Sequence, residues 1–73
     1  MNEVRRNHYR DEYGLLLRNF SQLHSTAVFA FRVLRASNAP FEILQEANST
    51  VSELRDRVDD IRAQLAAALA AVP

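Results

Sequence analysis

The stretch Val33-Leu34-Arg35-Ala36-Ser37-Asn38-Ala39-Pro40-Phe41-Glu42-Ile43-Leu44 decides the fold, because two apolar heptad patterns of similar length meet at its centre and neither continues through it. Pro40 has no backbone N–H and a fixed φ, so it suits the first turn of a helix and not the interior of one. Asn38 either closes the preceding helix in the left-handed conformation or caps the following one. Residues 37–40 therefore read as a short turn between two helices, the first over about 2–36 and the second over about 40–72.

Upstream of the turn, apolar residues fall at Tyr9, Tyr13, Leu16, Phe20, Leu23, Ala27, Ala30 and Leu34, in steps that alternate three and four. Leu17, His24 and Phe31 run along one flank of that line and widen it to the three-in-seven stripe of a bundle helix. Such a stripe implies more than one neighbouring helix. Downstream, Leu44, Ala47, Val51, Leu54, Val58, Ile61, Leu65, Ala68 and Val72 keep the strict two-in-seven alternation of a coiled-coil seam.

If the chain folds back at the turn, residues whose numbers sum to about 77 or 78 meet. Leu34 then faces Leu44, Ala30 faces Ala47, Ala27 faces Val51 and Leu23 faces Leu54. Phe20 faces Val58, Leu16 faces Ile61 and Tyr13 faces Leu65. At the open end Tyr9 and Tyr13 are expected over Ala67, Ala68 and Ala71, large side chains against small ones as close packing asks. The expected fold is all-α: a coiled-coil-like antiparallel two-helix hairpin forming a single domain over 1–73.

The layers Ala27 with Val51 and Ala30 with Ala47 are thin, and either Phe31 on the flank or Phe29 from a second hairpin would fill them. A chain of 73 residues buries little apolar surface alone, and with no cysteine it has no disulfide or thiolate metal site to compensate. Dimerisation into a four-helix bundle is the expected remedy. The residues expected at the oligomer or partner interface are Leu16, Phe20, Leu23, Phe29, Phe31, Leu34, Leu44, Val51, Leu54, Val58, Ile61 and Leu65. Leu15 and Phe29 lie on a different face of the first helix and suggest a second contact surface, with Phe41 a further exposed aromatic.

Formal charge is zero, yet residues 1–38 hold six Arg against three acids and residues 39–73 the reverse. Opposite halves favour antiparallel pairing, within a chain or between chains. All nine basic residues are Arg. The codon usage of a GC-rich genome accounts for that, and so does a requirement for planar, bidentate contacts to phosphate or carboxylate. Arg5, Arg6 and Arg10 in the first turns oppose the helix macrodipole, so local stability does not ask for them. With Tyr9 beside them, and Arg18, Arg32 and Arg35 extending the face, they offer a nucleic-acid surface suited to the shape of duplex RNA; the favoured reading instead pairs Arg6 and Arg10 with Glu3, Asp11 or the acidic second helix and puts Tyr9 in the core.

Other chemistry has less support. His8 and Glu12 have the i, i+4 spacing of a metal half-site but no third ligand, so a surface hydrogen bond is expected and no metal. His24, with Thr26, Asn48 and Thr50, suggests a small polar network that sets register. No Ser is placed with a His and an acid on a signalled turn, and the single Gly14 makes no phosphate loop, so no catalytic residue and no cofactor are assigned. Gly14 instead suggests a bend or a close helix contact. Asn19-Phe20-Ser21 and Asn48-Ser49-Thr50 match the glycosylation sequon inside predicted helices, as chance does. No run approaches the roughly 18 apolar residues of a membrane span. The expectation is a cytoplasmic, or intracellular viral, non-enzymatic association module that pairs with itself and with a partner protein. The alternative is a dimeric nucleic-acid binder for double-stranded RNA.

Overall fold

The computed structural model describes residues 2–73 and shows two helices packed antiparallel, α1 over Asn2–Ala36 and α2 over Phe41–Ala71. The hairpin is a rod of 55 × 15 × 10 Å. Its long dimension is that of α1, whose 35 residues rise about 1.5 Å each.

The turn closes by a Schellman arrangement. Asn38 takes φ 57°, the only positive φ among the described residues. Its N–H donates to the carbonyl of Arg35 at 3.2 Å, and the N–H of Ala39 reaches back to Leu34 at 3.0 Å. Ser37 adds its own N–H and its hydroxyl, both donated to Val33 O, at 3.0 and 2.8 Å. Three otherwise orphaned carbonyls at the end of α1, those of Val33, Leu34 and Arg35, are thus satisfied within the turn. Asn38 closes the first helix and does not cap the second. Pro40, with ψ 151°, precedes α2 instead of forming its first turn, and its carbonyl accepts the N–H of Leu44 at 3.1 Å. Asn38→Ala should cost about 1 kcal/mol, because the short polar side chain of Asn eases the left-handed conformation and a methyl group does not, and lower the melting temperature by about 4–8 °C. Asn38→Gly should leave it unchanged or raise it. Thermal melts followed by circular dichroism decide the comparison.

The register follows from two cross-helix contacts. The Arg6 guanidinium donates to Val72 O at 3.1 Å, and the Arg57 guanidinium lies 5.8 Å from the centre of the Phe20 ring. Both pairs sum to 77 or 78, as folding back at residues 37–40 requires. On α2, every position of the expected seam from Leu44 to Val72 is buried or half-buried. Val58, Ile61 and Val72 are the only buried residues among those described, at 7, 4 and 4 % exposure.

On α1 the seam is rotated from expectation. The half-buried residues are Arg6, Tyr9, Tyr13, Gly14, Leu17, Phe20, Ser21, His24, Ala27, Val28, Phe31 and Leu34, whereas Leu16, Leu23 and Ala30 are exposed. The line Tyr13, Phe20, Ala27, Leu34 is common to both readings, so the helix turns to α2 with the opposite flank of its wide stripe. Leu16 does not bury against Ile61, nor Leu23 against Leu54, nor Ala30 against Ala47. Volume explains the choice at the turn end. Phe31, level with Ala47, is half-buried in place of Ala30 and lines a hollow with Leu44 and Asn48, where a second alanine would offer less to pack. At the level of residues 23 and 24 the same rotation keeps a leucine in water and puts a histidine on the seam.

At the open end, Tyr9, Tyr13 and Ala68 are half-buried as expected, but Ala67 and Ala71 are exposed and Leu69 takes the inward position. A Cβ added at Gly14 meets nothing within 4 Å, so no close helix contact requires that glycine.

Candidate association surface

Among the described residues eight large apolar side chains are exposed, and six of them belong to α1: Val4, Leu15, Leu16, Leu23, Phe29 and Val33. The other two, Phe41 and Ile43, open α2. For Leu16 and Leu23 the asymmetry follows from the two stripes, whereas Val4, Leu15, Phe29 and Val33 lie off the three-in-seven stripe. The two-in-seven seam of α2 is consumed by α1, while the three-in-seven stripe of α1 is wider than one neighbour covers.

Of the twelve residues expected at an interface, nine turn into the hairpin: Phe20, Phe31, Leu34, Leu44, Val51, Leu54, Val58, Ile61 and Leu65 are half-buried or buried within the chain. Leu16, Leu23 and Phe29 remain outside, at 42, 52 and 68 % exposure. Near the turn Phe31, Phe41, Leu44 and Asn48 line a shallow hollow, which joins the two exposed or half-exposed phenylalanines.

The six arginines do not form one face. Arg10, Arg18, Arg32 and Arg35 lie within about 100° of the α1 circumference, while Arg5 is on the other side. Arg6 is engaged by Val72. That bond also explains a basic residue in a first turn: it opposes the dipole of α1 but meets the negative C-terminal end of α2, where the antiparallel hairpin sets it. Arg57 supplies a cation–π lid on Phe20. Its position one residue before Val58, and hence in register with Phe20, is the signal for it.

No family model, curated protein or solved structure matches this chain. Its chemistry therefore has to be taken from its own side chains.

His8 Nε2 lies 3.3 Å from Glu12 Oε1 on an exposed turn, the surface contact expected of that spacing. Among the described residues no three His, Asp or Glu side chains gather as metal ligands. The polar network expected around His24 does not form. Thr26 and Thr50 donate their hydroxyls to carbonyls of their own helices, at Gln22 and Glu46. His24 instead lines a groove with Ser21, Ser25, Arg55, Val58, Asp59 and Arg62. Arg62 and Asp59 form an exposed pair at 3.8 Å, of the kind that contributes little to stability. No described helix is long and apolar enough to cross a membrane.

Proposed function

We propose that this hairpin is a non-enzymatic association module that pairs with itself as a four-helix bundle and offers its remaining apolar positions to helices of a partner protein. The observation that carries this reading is the balance of surface. The chain exposes 5666 Å², whereas a compact monomer of 8.3 kDa exposes about 4,600 Å². The difference exceeds the roughly 800 Å² that each partner contributes to a standard specific interface. It coincides with large apolar side chains on one helix, and such side chains are what an association surface contributes.

Sedimentation equilibrium tests the proposal, run with and without a short RNA duplex at low and high salt. The expected mass is twice the 8.3 kDa of the chain, unchanged by RNA. A monomer at tens of micromolar would sink self-pairing. The shared side of Arg10, Arg18, Arg32 and Arg35 supports a second reading, in which the hairpin lies along duplex RNA and contacts phosphates. It predicts instead a complex that dissociates steeply as salt rises.

A further inference from the structure

Resting on the self-pairing just proposed, we infer that the second copy docks on one particular face of α1, so that two α1 helices pack antiparallel about a two-fold axis near Leu23 and both α2 helices stay on the outside. The face is a second heptad stripe on the same helix. Glu12, Leu16, Asn19, Leu23, Thr26, Ala30 and Val33 follow one another in steps of four and three, and all seven are exposed. From Leu16 to Val33 this stripe carries no charge, although α1 as a whole holds six arginines and three acids. The arginines beyond its ends and along its flanks leave it clear. Depletion of charge over a heptad-spaced line is the composition of an interface core and not of a solvated helix face.

The occupant is a second copy because the stripe complements itself. Turned about an axis near Leu23, it sets Leu23 beside Leu23 of the second copy and Leu16 beside its Ala30, a large side chain against a small one. Asn19 comes level with Thr26 of the second copy. The Thr26 hydroxyl already donates to Gln22 O at 3.0 Å, which leaves its oxygen free to accept from the Asn19 amide. Two such polar pairs, one on each side of the axis, fix register in the way a single buried Asn does in coiled coils.

Charge selects the antiparallel sense. It brings Glu12, the one charged residue of the stripe, level with Val33 and Leu34 at the Arg32 to Arg35 end of the other copy, whereas a parallel pair would set Glu12 beside Glu12 of the second copy. The same pairing accounts for the rotation of α1. Intrachain packing alone gives no reason to leave Leu23 in water and bring His24 to the seam, but a helix that serves two neighbours needs Leu16 and Leu23 on its second side.

The chain has no cysteine, so a single introduced thiol reports its own neighbourhood. Leu23→Cys in the full chain should convert mostly to a disulfide-linked dimer under mild oxidation, while Ser49→Cys, exposed on α2, should stay reduced. Leu16→Cys alone should crosslink poorly, yet an equal mixture of Leu16→Cys and Ala30→Cys should give the mixed disulfide. A Leu23→Cys protein of dimeric mass that stays reduced, or a Ser49→Cys protein that crosslinks as readily, overturns the face while leaving self-pairing intact. Efficient crosslinking of Leu16→Cys with itself overturns the antiparallel sense. A monomeric wild type overturns both this inference and the reading beneath it.

Discussion

Ile61→Glu is expected to abolish most of the helical circular dichroism at 25 °C. Ile61 is 4 % exposed, in the stretch of α2 where Val58 is buried as well, and three buried residues are all that the described chain has at its core. The substitution removes a side chain whose burial contributes about 1.5–3 kcal/mol. It also leaves a carboxylate in that site with no partner, at a further cost of several kcal/mol unless it is protonated or the helices part. Domains of this size have little stability to lose. Since a helix of this length in isolation owes most of its order to packing of its apolar face, separation of the two helices removes helicity from both. Ile43→Glu is the control: Ile43 lies outside the seam at 44 % exposure, and the same change there should leave the far-ultraviolet spectrum unaltered. A folded Ile61→Glu protein with an unchanged melting temperature would show that the seam is not where the stability resides.

Leu23→Glu is expected to have the second largest effect, on association and not on folding. A residue beside a two-fold axis is substituted twice in each dimer, so two buried leucines are lost and two carboxylates are brought together. Because about half of Leu23 is already covered within the chain, the transfer term amounts to about 1.5–3 kcal/mol for the pair, enough to weaken dimerisation by about 10- to 100-fold before the repulsion of the two carboxylates is added. Sedimentation should return the mass of a single chain. Helicity should largely persist, because Leu23 at 52 % exposure already stands outside the intrachain seam. The heptad reading of the sequence alone, which faces Leu23 with Leu54, expects helicity to fall together with the dimer. Measuring mass and circular dichroism on one sample distinguishes the two arrangements.

The two helices differ in how far their packing is legible in the chain. In α2 the apolar positions form one narrow line, so there is one way to bury them, and Leu44 through Val72 all face inward as the spacing implies. In α1 the columns Leu16-Leu23-Ala30 and Leu17-His24-Phe31 lie on either side of the shared line Tyr13-Phe20-Ala27-Leu34, offset from it by about 60° and about 40°. Periodicity ranks these two flanks by hydrophobicity, which favours the first. Packing ranks them by fit against α2, where Ala47 leaves room for Phe31. The arginines show the same limit. Spacing along the chain places Arg6 in an electropositive first turn, and only the fold brings the carbonyl of Val72 to it from 66 residues away.

The sequence by itself determined the number and sense of the helices, the turn at 37–40, the antiparallel register and the inward line of α2. Local chemistry is enough for these, since Asn38 and Pro40 together interrupt the helix whichever end Asn38 serves, and a single two-in-seven seam admits one inward line. The tertiary structure decided which flank of α1 meets α2, how Arg6 and Arg57 are used, and which leucines are left outside. Those outcomes depend on volumes and charges opposed across the hairpin, and a wide apolar stripe admits more than one solution until its neighbour is in place.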